Sequence, residues 1–183
     1  MTYILALDQG TSSSKATIFD RNGLALGRGQ VEYDNIFPSD GWVEQAPEVL
    51  WDTSLAAVRE ALRVTGLQGL DLTCIGIANQ RETALVWDRQ TGECVYNAII
   101  WQDRRTADRC EELKTREIAE IINSVTGLLI DPYFSATKVQ WILENIPGVR
   151  ERAESGDLCF GTVDTYLISV SYTHLTLPTI LRV

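Results

Sequence analysis

Four short stretches of this sequence carry side chains suited to chemistry. The first is "LDQGTSSSK", residues 7–15. An apolar run ends in the carboxylate Asp8, Gly10 opens a turn, and Thr11, Ser12, Ser13 and Ser14 follow before Lys15. Small residues around a glycine leave backbone N–H groups free to cradle a phosphate, and hydroxyls add donors. A carboxylate at a strand end suits Mg2+, a hard cation that takes oxygen ligands. Lys15 is placed to offset phosphate charge. The Walker A spacing GxxxxGK[ST] is absent. Taken alone, the same residues also make a plain hairpin with Asp8 hydrogen-bonded to its turn.

The second stretch is "NQRET", residues 79–83. Arg81 offers a planar fork of donors and Glu82 only acceptors. Side by side they can read a polyol, one donating to hydroxyl oxygens and the other accepting hydroxyl protons; a surface ion pair worth little fits them equally. In "WQDRR", residues 101–105, Trp101 has a face that can cover the carbons of a small polyol, although a core tryptophan is commoner. Arg104 and Arg105 there read as structural or ion-paired. In "DPYFS", residues 131–135, Tyr133 precedes a helix start and also reads as a packed tyrosine.

The elements that must position these groups follow from periodicity. Three strand-like runs open the chain, and "RNG" at residues 21–23 marks a tight hairpin. A helix is expected over residues 47–65, with Trp51, Leu55, Val58 and Leu62 on one face, Pro47 at its start and Gly66 at its end. Ala46 supplies no side-chain cap. "LTCIGIAN" reads as a strand covered on both faces. "TALVWD" and "VYNAIIW" read as a hairpin. A helix is expected over residues 106–125, with Cys110, Ile118, Ile121 and Ile122 inward. Another should start with Ser135 as its N-cap, followed by a short helix, a last buried strand at "LCFGT" and a helical end. The order is that of an α/β fold, a mixed sheet with packed helices.

Composition narrows the classes. The chain has 183 residues, 45% of them apolar, enough for a core. Net charge is −9, which disfavours a nucleic-acid partner. Cys74, Cys94, Cys110 and Cys159 show no CxxC spacing and read as buried reduced thiols, and with His174 the only histidine a zinc site is not expected. No signal peptide and no run of membrane length is visible, so a cytoplasmic protein without membrane insertion is expected. Residues 169–183 contain one Arg and no Asp, Glu or Lys, an abrupt change from what precedes them.

Six pieces, "ALDQGTSSSKA", "GWVEQAPEVLW", "GIANQRETALVWD", "YNAIIWQDRRTA", "TGLLIDPYFSATKVQWIL" and "FGTVDTYLI", together resemble the amino-terminal part of the FGGY carbohydrate kinases, in the same order. The resemblance covers residues 1–168. It implies a ribonuclease H-like (actin-like ATPase) domain and transfer of the ATP γ-phosphoryl group to glycerol, giving sn-glycerol 3-phosphate, in a homo-oligomeric parent. Pentulose kinases of the family carry a different signature where "NQRE" stands, which favours glycerol. By resemblance Asp8 organises Mg2+; Thr11, Ser12 and Ser13 contact the phosphate or ATP with Lys15 nearby; Arg81, Glu82 and Tyr133 bond the glycerol hydroxyls; and Trp101 packs on the carbons. The family's catalytic base and adenine pocket fall beyond residue 168. No catalytic residue is therefore assigned here, the chain alone is expected to be inactive and poorly soluble, and residues 169–183 are expected to be a non-family tail of artefactual origin. Another FGGY sugar kinase, a non-catalytic polyol-binding module and a ribonuclease H-type nuclease are the alternatives.

Overall fold

The computed structural model describes residues 2–114 and 117–174. Strands β1 (Tyr3–Gln9), β2 (Ser13–Asp20) and β3 (Ala25–Glu32) form an antiparallel meander. At the turn between β2 and β3, Gly23 takes a φ of 81°. After β4 (Glu44–Gln45) and helix α1 (Pro47–Thr65), strand β5 (Leu72–Asn79) joins β1 in parallel, so the main sheet runs β3-β2-β1-β5.

Helix α1 lies on one face of this sheet. Leu5 and Leu7 of β1 and Ala16 and Ile18 of β2 point to that face and are buried with Leu50, Ala57 and Ala61. The buried stripe of α1 is thus Leu50, Ser54, Ala57 and Ala61, while Trp51, Val58 and Leu62 flank it half-buried. Periodicity alone puts the large residues at the centre. The reason they lie at the sides is the sheet's own surface. A Cβ at Gly29 would stand 2.1 Å from the Ala57 carbonyl oxygen, and one at Gly27 would stand 2.6 Å from the Thr65 methyl. Helix and strand come so close that only small residues fit between them. Ala46 makes no side-chain cap, and Gly66 closes the helix at a φ of 69°.

The opposite face of the sheet is open. Ile4, Ala6 and Asp8 of β1 and Cys74, Gly76 and Ala78 of β5 are exposed there. Strand β5 is an edge strand covered on one face, not on both as its apolar run suggests. Its outward residues are small, so the run lacks the alternation that would have shown an open side. The same placement leaves Cys74 exposed, against the expectation of four buried thiols; Cys110 is buried, Cys94 and Cys159 are half-buried, and all are free. Burial pushes the Cys94 thiol up to about 12.

The remaining elements build a second layer beside the first. Strand β6 (Leu85–Asp88) pairs with β8 (Leu158–Gly161), and β7 (Ala98–Ile99) pairs with β4. The expected hairpin after β6 forms in part: near its turn the Val95 N–H donates to Val86 at 2.9 Å, and Ala84 and Ile99 exchange N–H···O bonds at 3.0 and 3.1 Å, while β7 also pairs with β4. Residues 106–125 do not make one helix. They give α2 (Ala107–Lys114) and α3 (Ile118–Thr126). Cys110 faces inward as expected, but α3 buries no residue, and Ile118 and Ile121 are exposed. Helix α4 (Ser135–Asn145) is capped by Phe134 without a side-chain bond, so Ser135 is its first residue and not its cap. Helix α5 (Val149–Glu154) follows. Helix α6 (Val163–His174) packs on β5 and β8 and runs through residues 169–174. Trp87 Nε1–H donates to Ser169 Oγ at 3.1 Å and Val170 is buried. The rest of the expected tail, residues 175–183, lies outside the described residues.

The close approach of α1 to β3 has a direct test. Gly29→Ala forces a methyl group into backbone, and overpacking of this kind costs at least about 2 kcal/mol. Urea unfolding of the variant should show a clearly lower midpoint; an unchanged midpoint would contradict the packing.

Candidate functional site

The two polar loops sit at the carboxyl ends of the adjacent parallel strands β1 and β5, the place where open α/β sheets gather ligands. The Gln80 N–H continues the ladder to the Gln9 carbonyl at 2.8 Å, so the two chains are still paired as they leave the sheet. Between them opens a cleft of about 390 Å3 lined by Gly10, Thr11, Asn79, Gln80, Arg81, Trp101 and Tyr133. Larger hollows lie beneath α3 and beside the β2–β3 turn, about 630 and 510 Å3. Neither combines strand ends with converging donors, so the smaller cleft is the candidate.

The loops are joined by three glutamines whose side chains are almost wholly buried, Gln9, Gln45 and Gln80. Gln80 Nε2 donates to Gln45 Oε1 at 2.6 Å and to Gln9 Oε1 at 3.1 Å. Gln45 Nε2 donates in turn to the Thr11 carbonyl at 2.7 Å and to Asn35 Oδ1 at 2.6 Å. Gln9 Nε2 donates to the Gly10 carbonyl at 3.1 Å and to the Tyr33 hydroxyl, which itself donates to the Gly10 carbonyl. Burial pushes the Tyr33 phenol up to about 12, keeping it a donor. The Gln80 amide thus donates from the 79–82 loop to Gln9 directly, and reaches the Thr11 carbonyl through Gln45. Gln80 Oε1 and Thr83 Oγ1 are buried acceptors without a partner among the described residues.

Of the residues expected in the first loop, Thr11 lines the cleft and Ser12 is exposed. Ser13 is buried at the start of β2. Asp8 and Lys15 are cross-strand partners on the open face of the sheet, near the cleft but not in its lining. Among the described residues no group of three or more His, Cys, Asp or Glu gathers as a metal site. A lone carboxylate fits Mg2+, which keeps waters and binds through one or two carboxylates together with substrate phosphates.

On the other wall, Trp101 is about one-third exposed, not a core residue, and its Nε1–H donates to Thr11 Oγ1 at 2.9 Å. This bond ties two loops that are 90 positions apart in the sequence. Tyr133 stands edge-on to Trp101 with ring centroids 6.1 Å apart, and Phe134 backs it at 5.2 Å. Arg81 is exposed and lines the cleft. Glu82 does not line it. Its Oε2 accepts from the Ser135 N–H at 2.9 Å and from Ser135 Oγ at 2.7 Å, at the N-terminus of α4 where a carboxylate is favoured. Glu82 holds a φ of 65°, the one left-handed residue other than glycine among those described.

Behind this wall lies a buried charge cluster. Arg105 donates to Glu44 at 2.7 Å and to Asp103 at 2.8 and 2.9 Å, with its guanidinium between Trp42 and Trp141 at 4.0 and 4.6 Å. All three charged side chains are essentially inaccessible. The two carboxylates outnumber the one cation, and neutral donors make up the rest: the Val43 N–H to Asp103, and the Tyr96 hydroxyl and Asn97 amide to Glu44. Arg105 is thus the ion-paired residue expected, and it pins β4 against the turn that carries Trp101. Arg104 pairs with Asp131 at 3.3 Å on the surface.

The sequence reading missed the buried glutamines, Glu44 and Lys138. The glutamines had a visible signal: a Gln stands at each strand end in "DQG", "EQA" and "NQR". Lys138 had none, since a lysine inside a helical pattern ordinarily faces water.

Residues 3–175 match the model of the FGGY family of carbohydrate kinases, N-terminal domain. The chain belongs to the FGGY family of carbohydrate kinases. It is similar to glycerol kinase of Chromobacterium violaceum, 53% identical over 172 residues, covering 94% of this chain and 34% of that protein. Glycerol kinase of Parabacteroides distasonis is 55% identical over 166 residues, covering 91% and 33%. Among solved structures, Plasmodium falciparum glycerol kinase with ADP superposes with a TM-score of 0.85 at 31% identity, over 92% of this chain and 34% of that one. Gluconate kinase from Lactobacillus acidophilus shares the fold at a TM-score of 0.79 and 22% identity, over 91% and 32%. This FGGY chain spans about a third of the length of the relatives it matches. Its fold is the ribonuclease H-like, actin-like ATPase type. Among the described residues no helix is long and apolar enough to cross a membrane.

The Arg105 cluster carries its own test. Removing one partner of a buried pair leaves uncompensated charge, at a cost of about 3–5 kcal/mol. Arg105→Ala should therefore lower the denaturation midpoint far more than Arg104→Ala, whose pair is exposed. Equal effects would contradict the burial.

Proposed function

We propose that this chain supplies the polyol wall and the phosphate-facing loop of an ATP-dependent glycerol kinase. What supports the reading is the shared cleft. Thr11 of the hydroxyl-rich turn is hydrogen-bonded to Trp101, and both line one cavity with Arg81 and Tyr133.

In this reading Arg81 donates to glycerol oxygens and orients them. Glu82 keeps Oε2 on Ser135 and turns Oε1 to a hydroxyl proton, so that one carboxylate both fixes its loop and reads the substrate. The Tyr133 hydroxyl adds a further bond, and the ring of Trp101 covers the carbons. A terminal hydroxyl then faces the 10–13 turn, where backbone N–H groups and the hydroxyls of Thr11, Ser12 and Ser13 meet the transferred phosphate. Asp8 and Lys15, side by side at the mouth, manage its charge: Asp8 would hold Mg2+ and Lys15 would offset phosphate oxygens. Bound Mg2+ supplies neutralisation of the phosphate charge that develops during transfer. The work of these residues is positioning and electrostatic stabilisation, as phosphoryl transfer requires. The product is sn-glycerol 3-phosphate.

Saturation-transfer NMR with the 183-residue chain tests the polyol half of the reading. Glycerol should give a saturable signal. Arg81→Ala and Glu82→Gln should each weaken binding about tenfold or more, the worth of a hydrogen bond to a charged group. Preference for D-xylulose over glycerol, or binding unaffected by both substitutions, would contradict it.

A further inference from the structure

We propose that Lys138 is a positioning residue for the polyol site, its buried ammonium group clamping the backbone carbonyls of Glu82 and Tyr133 and so fixing the backbone that carries the Glu82 carboxylate and the cleft-lining Tyr133 ring. The inference rests on the polyol reading above and adds to it a residue outside the cleft lining. Lys138 lies on α4 with no exposed surface. Its Nζ donates to the Glu82 carbonyl at 2.8 Å and to the Tyr133 carbonyl at 2.6 Å. One turn earlier on the same helix, the Ser135 N–H and hydroxyl hold the Glu82 carboxylate. The start of α4 therefore grips Glu82 at both its backbone and its side chain, and Glu82 stays in the left-handed region that a non-glycine residue rarely holds.

The chemistry of the clamp is what sets it apart from ordinary packing. Burying an ammonium group is unfavourable, and an apolar side chain of the same shape would fill the helix interface more easily. Among the described residues Lys138 forms no ion pair; its direct partners are two carbonyl oxygens, one beside each polyol-contacting side chain. The charged or titratable groups that face it are Glu82 in the loop after β5, Asp103 in the turn after β7, Cys110 on α2 and Asp131 before α4. The three carboxylates favour the charged amine, but burial outweighs them and pushes Lys138 down to about 8. Below that the clamp is charge-assisted. Above it a neutral amine holds the carbonyls more weakly, so the grip loosens as pH rises.

Carbonyl 13C shifts in the labelled 183-residue chain read the clamp without any ligand. Between about pH 7 and about pH 9, the Glu82 and Tyr133 carbonyl carbons should titrate together, and in Lys138→Met they should not. Over the same range the dissociation constant for glycerol should rise severalfold in the wild type. In the variant it should be weaker at the outset and flat with pH, which a purely structural role would not produce. Carbonyl shifts that stay flat in the wild type, or a folded Lys138→Met chain with wild-type glycerol affinity and pH profile, would overturn the inference. Titrating carbonyls in a chain that ignores glycerol would instead support the clamp and overturn the polyol reading.

Discussion

Three buried amides hold this site together. Gln80, which follows β5, donates both to Gln9 at the end of β1 and to Gln45 of β4, and Gln45 donates on to the Thr11 carbonyl beneath the cleft. Each amide group lies out of water, where a polar atom left without a partner costs about 1–3 kcal/mol. That cost makes the arrangement specific. A shift of either loop by one residue would strand several donors at once, so the hydroxyl-rich turn and the Arg81–Glu82 loop keep one relative position. The direction of donation is also fixed, because the Gln45 and Gln9 oxygens both need a donor and only the Gln80 amide nitrogen can supply both.

The rest of the fold serves that arrangement. Parallel pairing of β1 and β5 brings the two strand ends side by side. Glycines in β3 allow α1 to come close enough to brace the meander, and Ser14 of β2 meets Thr53 and Ser54 on that helix at 2.9 and 3.3 Å. On the far wall the Arg105 cluster ties β4, which carries Gln45, to the turn that carries Trp101. Floor and wall are thus built from one short strand: Glu44 faces the charge cluster and Gln45 the amide chain. Asn79 adds a brace to Asp164 at the start of α6, at 2.7 Å.

Much of this was legible in the sequence, for identifiable reasons. The meander, α1 and its glycine stop follow from short-range signals, "RNG" and a clean helical period, that need no tertiary information. The polar residues after β5 were visible because they interrupt an apolar run. What could not be read depends on distant partners. The stripe of α1 moved because strand glycines, not helix residues, set the approach. Ser135 reads as an N-cap, but Glu82, 53 positions earlier, takes its N–H and hydroxyl. The exposed side of β5 is hidden by its small residues, and Ile118 and Ile121 have the spacing of a buried face without being buried. Lys138 is the extreme case, since only the fold reveals that a lysine there has two carbonyls to hold.

The central claim, that one buried amide chain locks the two loops into a shared cleft, is most directly tested by the side-chain amide protons of Gln80 in the 15N-labelled chain. The account predicts that they exchange with solvent far more slowly than those of an exposed glutamine such as Gln90, and that they show cross-relaxation to the side chains of both Gln9 and Gln45. Exchange at the rate of a free glutamine, with no cross-relaxation to either partner, would contradict it.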